Sequence, residues 1–419
     1  MIVGGFFRFY HLDQPQRPLW DEHHYVLPAK VVVGLVDNPG VPPKWKLFGH
    51  DLIAKSPEPN FSHPILGKVL IGMGMRVFGD NSFGWRVGSA TLGTLSILAL
   101  FLLAMALTQS FWFAAGAAAF LSIETLHISL SRVAMLDAPL FFFMIVNLYG
   151  WVKLIRTREK WHWPLITLTA LSAFATVSIK YNGALLVIFG LMAYLYAKSR
   201  RQNQLTSSLQ VSSAISFMAV TFYGVWYFIY FREAFSPVEW LQFHYDTMKA
   251  TLNITSDHAF GSAPWMWVLN QKPIIYMQGA GIQSYAMIGF VNPVLLALFL
   301  PALALVSYRA VIQKIPADMV MMCLVLVLYG SLFVLLKNRS QSAFMHHFLP
   351  TMMPLCLVVA RFFHVGLRQH VRFRAMAMAV LFCGAAAYTP LSMAWPIHER
   401  IFTFLHATVV NEPLRRMLF

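Results

Sequence analysis

The chain has 419 residues, of which 58% are hydrophobic and only 12% charged, about half the roughly 25% charged share of ordinary soluble domains. Its 32 Lys and Arg outnumber its 17 Asp and Glu, giving a net charge of +15, and long stretches such as 83–107 and 285–308 hold almost none of these residues. A soluble multidomain protein and a nucleic-acid binder are thereby excluded, and the composition describes an all-α polytopic membrane protein with basic loops.

In chain order, Met1 to Tyr10 comes first and is too short either to span a bilayer or to direct export. Residues 11–64 follow, rich in proline (Pro15, Pro18, Pro28, Pro39, Pro42, Pro43, Pro57, Pro59, Pro64) and carrying Asp21-Glu22-His23-His24-Tyr25. This pattern predicts a helix from Glu22 to Val33, with Asp21 as a favoured N-cap and Glu22 suited to the first turn. Adjacent carboxylates point in different directions on any regular backbone, so Asp21 and Glu22 do not form a two-carboxylate dyad. One is open to a general-base role and the other to orienting a partner, and capping by Asp21 is compatible with either. A metal site from Asp21, Glu22, His23 and His24 is disfavoured because side chains this close in sequence seldom share one ion.

His63-Pro64-Ile65-Leu66-Gly67-Lys68 opens an apolar segment, Val69 to Phe78, that is too short to span. It reads as an interfacial helix that holds His63 and Lys68 at headgroup level, either as partners of a phosphate or as snorkelling anchors. Arg86, at the start of the next span, joins the same basic cluster if the segment folds back.

A spanning helix takes about 20 mostly apolar residues, which places spans at 82–107, 111–131, 134–155, 163–180, 181–197, 209–231, 285–308, 316–336, 345–365 and 373–393. Lys and Arg concentrate in alternate connections: Lys153, Arg156, Arg158 and Lys160; Lys198, Arg200 and Arg201; Arg309 and Lys314; Arg361, Arg368, Arg372 and Arg374. The other short turns hold only Arg132, Lys180, Lys337 and Arg339. The positive-inside rule makes the first group cytoplasmic. The expected layout is then an outer segment 1–81, transmembrane helices over 82–231, an outer loop 232–284, helices over 285–393 and an outer tail 394–419. An outward-facing start without an earlier span is anomalous, and points to a missing first helix.

The 232–284 loop carries His244, Asp246, Asp257, His258 and the run Trp265-Met266-Trp267. A loop this long and aromatic is expected to be functional rather than disordered. Glu124, His127, Arg132 and Asp137 gather near one outer turn; ionisable groups there are costly unless paired, and an Arg132–Asp137 clamp is expected, with Glu124 in support. Lys180, Lys337, Arg339, His346 and His347 extend a positive outer rim suited to an anionic headgroup or phosphate. Cys323, Cys356 and Cys383 sit in apolar runs, in no metal-binding or disulfide pattern. Asn253-Ile254-Thr255 and Asn338-Arg339-Ser340 are glycosylation-acceptor patterns frequent by chance.

Several segments, in order, resemble the protein O-mannosyltransferases of glycosyltransferase family 39. They are Asp21-Glu22 with a following aromatic, His63-Pro64-x-Leu66-Gly67-Lys68, Phe78-Gly79-Asp80 with Arg86 and Gly93-Thr94, and Glu124 to Asp137, which ends in Ser131-Arg132-Val133-Ala134-Met135-Leu136-Asp137. Val177-Ser178-Ile179-Lys180-Tyr181-Asn182-Gly183, Ser262-Ala263-Pro264-Trp265-x-Trp267, Asn292-Pro293 and His346-His347-Phe348-Leu349-Pro350 complete the series. Each piece is weak alone, but eight in the right order are specific.

The resemblance implies the GT-C fold, with about ten spans here against eleven in the family, and an outer-face active site of a plasma-membrane enzyme that takes a sugar, mannose by family habit, from a polyprenyl-phosphate donor. It implies Asp21 as general base with Glu22 beside the acceptor, and His63, Lys68, a functionally important Arg86, Lys180, His346 and His347 as partners of the donor phosphate or substrate. The chain departs from the family in having no room for a large inserted soluble domain and in replacing His-Pro-Pro with His63-Pro64-Ile65, which suggests a compact prokaryotic form whose acceptor need not be a protein. The expected partners are the lipid-linked donor, an acceptor protein and the bilayer; no cofactor is required, and a divalent metal is neither demanded nor excluded. The alternatives are a GT-C enzyme acting on a lipid or glycan and, from another class, a secondary transporter, which should show repeated halves and polar residues at the membrane midplane.

Overall fold

The computed structural model describes residues 1–35, 63–157, 159–199, 205–230, 236–252, 260–279, 283–336, 343–366 and 371–410. Its elements run α1 (Ile2–Phe9), α2 (Glu22–Val32), α3 (Leu66–Phe78), α4 (Ser82–Thr108), α5 (Phe111–Ser122), α6 (Thr125–Ser131), α7 (Asp137–Arg156) and α8 (Trp163–Ile179). A 3-10 turn (Tyr181–Gly183) leads into α9 (Ala184–Ser199), followed by α10 (Leu205–Tyr230), α11 (Pro237–Leu252), α12 (Pro264–Trp267), β1 (Ile274–Gly279) and β2 (Gln283–Gly289). Then come α13 (Pro293–Val311), α14 (Pro316–Leu336), a 3-10 helix (Met345–Thr351) continuing into α15 (Met352–Gly366), α16 (Val371–Ala386), α17 (Pro390–Met393), β3 (Ile397–His398) and α18 (Glu399–Val409).

Among the described residues seven helical segments are long and apolar enough to cross a bilayer: Ser82–Thr108, Asp137–Arg156, Tyr181–Lys198, Thr206–Phe228, Pro293–Val311, Pro316–Val334 and Met345–Gly366. An eighth results if α5 and α6, bent by 60° at their junction, count as one span. The apolar helices Trp163–Ile179 and Met376–Ala386 are shorter. The chain is thus a helical multi-pass membrane protein.

Three predicted spans differ in shape. The apolar run from 285 is not one helix: its first residues are strand β2, and the helix begins only at Pro293, with the Asn292 side chain accepting from the Val294 amide. Asn-Pro is a helix-start signal, and an apolar run ahead of it fits a strand as well as a helix. Span 111–131 breaks at Glu124, whose carboxylate caps a new helix by accepting from the Leu126 and His127 amides. The 373–393 segment divides into α16 and α17.

The chain forms two compact units. The first comprises Met1–Tyr10, Ala90–Arg132 and Thr255–Phe419. In it β1 and β2 pair antiparallel from Ile274↔Gly289 to Gly279↔Tyr285, and β3 adds to β2 at Gln283↔His398. Helices α13, α14 and α15 pack together, as do α15 and α5. Asp318, fully buried, receives Arg309 Nε at 2.8 Å and Arg361 Nε at 2.7 Å, which pins three helices at one end.

The second unit comprises His11–Ser89 and Val133–Ile254. Helices α7 to α10 pack around Trp151, Leu154, Ile166, Ala170, Tyr194, Val211 and Ile215. Helix α2 packs on α3. Helix α3 meets the start of α4 so closely that a Cβ on Gly74 would collide with the Gly84 carbonyl, and one on Gly84 with the Gly79 carbonyl.

Removing one partner of a buried charge cluster strands the others and costs roughly 3–5 kcal/mol. Asp318→Ala should therefore lower the thermal unfolding midpoint in detergent markedly. Asp318→Asn, which keeps hydrogen-bond acceptance, should lower it less, and equal midpoints for Asp318→Ala and the parent would show that the two arginines need no carboxylate.

Candidate functional site

The residues singled out by sequence divide between the units. Asp21, Glu22, His63, Lys68, Arg86, Asp137 and Lys180 belong to the second, while Glu124, Arg132, His346 and His347 belong to the first.

In the second unit Glu22 opens α2 and is fully buried. Its two oxygens accept from Arg86 Nε and Nη2, both at 2.8 Å, and also from the amides of Leu19 and Ala134, both at 2.7 Å. Arg86, equally buried, donates its remaining hydrogens to the carbonyls of Leu12, Gln14, Pro15 and Arg17. A carboxylate with four donors and a guanidinium with all its N–H groups engaged form a closed clamp, the condition under which a buried ion pair is tolerated. The expected contact of Arg86 with a donor phosphate is thereby corrected, because the protein itself occupies its donors.

Asp21 stands one residue away and differently placed. It holds the N-cap position of α2, but its side chain makes no capping hydrogen bond, contrary to the expected cap, and it is half-buried. Tyr25, one turn on, is buried, and that burial, with the nearby charges of Asp21 and Asp137 adding to it, pushes its phenol well above its usual value. The Tyr25 ring also lies parallel to that of His63, at 6.4 Å. Sequence reading noted Tyr25 only as an aromatic after the acidic pair; the i, i+4 spacing from Asp21 was the available signal.

Lys68, in the first turn of α3, is fully buried and donates to the His63 carbonyl at 2.7 Å. Burial pushes its ammonium down to about 7. Lys180 pairs with Asp137 at 2.8 Å, both almost fully buried. The expected Arg132–Asp137 clamp is accordingly corrected. Arg132 instead donates to the Phe7 and Arg8 carbonyls, groups left open where α1 ends, while Asp137, in the buried first turn of α7, takes the lysine.

The first unit holds a second buried network. Glu124 accepts from the Leu126, His127 and Asn292 amides, and Arg8, fully buried, contacts His127 Nδ1 at 2.6 Å and donates to the carbonyls of Leu121 and Ser122. Arg8 was missed because nothing in its short segment marked it. The His346-His347-Phe348 and Ser262-to-Trp267 motifs pack together: the Trp267 indole donates to Ser262 Oγ at 2.8 Å, and its ring lies 6.4 Å from His347 and 5.9 Å from Phe348. Among the described residues no group of three or more His, Cys, Asp or Glu is placed to hold a metal. Lys337, Arg339, Asp257, His258 and both glycosylation patterns lie outside the described residues.

The family described as dolichyl-phosphate-mannose-protein mannosyltransferase matches residues 1–238. The chain is 25% identical over 389 residues to the polyprenol-phosphate-mannose–protein mannosyltransferase of Mycobacterium tuberculosis, covering 74% of this chain and 69% of that one. It is similar in fold to the S. cerevisiae protein O-mannosyltransferase Pmt1-Pmt2 complex bound to the sugar donor, with a TM-score of 0.77 at 11% identity over 99% of this chain and 92% of that one. It is also similar to ArnT from Cupriavidus metallidurans bound to undecaprenyl phosphate, with a TM-score of 0.55 at 13% identity over 91% of this chain and 62% of that one. The fold is therefore that of the GT-C membrane glycosyltransferases.

The closed clamp makes a sharp prediction. Glu22→Ala leaves Arg86 charged and stranded, a loss of roughly 3–5 kcal/mol, and should show as poor folded yield and a lowered unfolding midpoint in detergent. The double variant Glu22→Gln/Arg86→Met should recover part of that loss. A Glu22→Ala protein as stable as the parent would mean the pair carries no structural load.

Proposed function

The chain belongs to the dolichyl-phosphate-mannose-protein mannosyltransferase family, and on that premise we propose that it transfers mannose from a polyprenyl-phosphate donor to Ser or Thr hydroxyls of exported proteins. The observation that carries the mechanism is the division of labour between adjacent carboxylates. Glu22 is locked on Arg86, whereas the Asp21 carboxylate stands half-buried at the head of α2, close to the buried Tyr25.

In one displacement the acceptor oxygen bonds to C1 of the sugar, the C1–O bond to phosphate breaks, and polyprenyl phosphate leaves with the electron pair. Asp21 takes the hydroxyl proton. A positioned general base supplies about 10²–10⁴-fold, so orientation and stabilisation of the leaving phosphate provide the rest. Lys68 and Lys180 are the cations of the same compact unit assigned to that phosphate, with His63 beside Lys68. Glu22 and Arg86 act as positioning residues that hold the head of α2, residues 12–17 and Ala134 together. His346 and His347 belong to the other unit, and the phosphate site is proposed without them.

We further place the enzyme in the cell's inner membrane with its active site on the outer face. The grouping of Lys153, Arg156, Lys198, Arg309 and Arg361 in alternate connections supports that orientation.

Asp21→Asn should reduce transfer of labelled mannose from polyprenyl-phosphate-mannose to a Ser/Thr-rich peptide by roughly 10²-fold or more, with expression and unfolding midpoint unchanged. Near-parent turnover would remove Asp21 from the mechanism. Donor consumed without peptide product would move the acceptor to a lipid or glycan.

Lys68 supplies a pH test. Its folded-state value near 7 lies below that of a free lysine, so the cation that meets the phosphate is present below pH 7 and lost as pH rises through it. Affinity for the donor, a phosphodiester of constant charge, should fall between pH 6 and 8.5, approaching tenfold per unit at the upper end. Lys68→Gln should bind more weakly at pH 6 and show a flat profile; a steep profile in that variant would assign the titration elsewhere.

A further inference from the structure

Helix α11 (Pro237–Leu252) is not among the spanning segments, yet it presents three distinct faces. The first is buried: Trp240, Phe243 and Thr247 are 5%, 2% and 3% exposed. Between them His244 is held by two phenols, with the Tyr181 hydroxyl 2.7 Å from Nδ1 and the Tyr223 hydroxyl 2.5 Å from Nε2. Burial pushes the His244 imidazole down to about 4, so at pH 7 one ring nitrogen donates to one phenol and the other accepts from the second. The rings of Tyr223 and Tyr227 lie 6.3 and 6.1 Å from Trp240.

The second face is an exposed apolar line, Val238, Leu241, Tyr245 and Met248, at 76%, 68%, 55% and 42% exposure. The third is polar and exposed: Glu239, Gln242, Asp246 and Lys249. Both lines follow a three-four-three spacing, and at 3.6 residues per turn they run roughly 100° apart around the helix. The apolar line is therefore bordered by polar side chains on one side and by the protein body on the other.

Two observations fix the level of α11. Tyr181 opens the span Tyr181–Lys198, and Tyr223 and Tyr227 fall in the last turns of the span Thr206–Phe228. A helix tied to all three lies across span ends, where hydrocarbon gives way to headgroups and Trp and Tyr concentrate. Helix α10 likewise exposes Phe217, Val220, Val225 and Phe228, along a segment long and apolar enough to cross the bilayer. An exposed apolar line at this level, with a polar face beside it, has the build of a helix lying in the interface plane.

We propose that α11 is an interfacial helix whose Val238–Leu241–Tyr245–Met248 line docks onto the bilayer on the side where the Tyr181 span begins, with Glu239, Gln242, Asp246 and Lys249 turned to water. The buried face of the same helix holds His244 against Tyr181 at the start of that span. The inference rests on membrane insertion alone and not on the proposed reaction.

The test uses the intact protein in phosphatidylcholine vesicles containing a phospholipid with a diazirine near the top of its acyl chain, with adducts mapped by mass spectrometry. The expected result is lipid adducts on Val238, Leu241, Tyr245 or Met248, modification of Asp246 by a water-soluble carbodiimide, and at least a fivefold loss of α11 adducts in Leu241→Glu, while adducts on the exposed α10 residues stay unchanged. Hydroxyl-radical labelling that reaches Leu241, Tyr245 or Met248 as readily as the polar face, without lipid adducts, would overturn the proposal. Cross-linking of Lys249 between two copies with the apolar line protected from lipid would overturn it in favour of a protein partner.

Discussion

A charge can be kept away from water only if everything around it answers that charge, and the second unit is organised by meeting this condition at Glu22 and Arg86. Each is fully buried, and each is held by contacts reaching beyond its own helix: Glu22 to Leu19 and Ala134, Arg86 to four carbonyls between Leu12 and Arg17. A neutral hydrogen bond is tolerant of small shifts, but a buried ion pair is not, because any partner that moves away leaves a charge uncompensated. The head of α2, the irregular chain before it, the start of α4 and the turn before α7 are therefore fixed by one pair, and Asp21, next in the chain, inherits that fixity.

The same logic recurs with different chemistry. Asp318 gathers two arginines at the ends of three helices, Lys180 meets Asp137, and Glu124 is met almost wholly by backbone amides. These buried charges stand where chain segments of different direction are joined. The glycine contacts between α3 and α4 serve the same end by shape, backbone set against backbone.

Much of this was legible in the sequence. The spans at 82–107, 134–155, 181–197 and 316–336 are close to the observed helices, since sustained apolarity over about 20 residues has few other readings. The helix after Asp21 and the short helix after His63 were equally readable from start signals and length. What failed did so for physical reasons. The run from 285 was apolar for a strand and then a helix, and only Asn292-Pro293 marked the change. Arg132 and Asp137 are near in sequence, but sequence distance says nothing about which cation reaches a buried carboxylate; Lys180, 43 residues away, does. The basic character of Arg86 suggested an anion from outside, whereas its anion, Glu22, comes from the chain itself, 64 residues earlier. Periodicity cannot report such pairings, because they are made by tertiary placement.

The Asp-Glu order at positions 21 and 22 carries one more consequence, which concerns reach rather than charge. Glu22 spans to Arg86 with both oxygens from the buried side of α2, at a distance its extra methylene makes available. An aspartate there would stop one carbon short, and a glutamate at position 21 would carry its carboxylate one carbon past the place where Asp21 holds it. Two residues of equal charge, side by side, thus differ in reach: the longer side chain spans to Arg86, and the shorter one stands half-buried beside it.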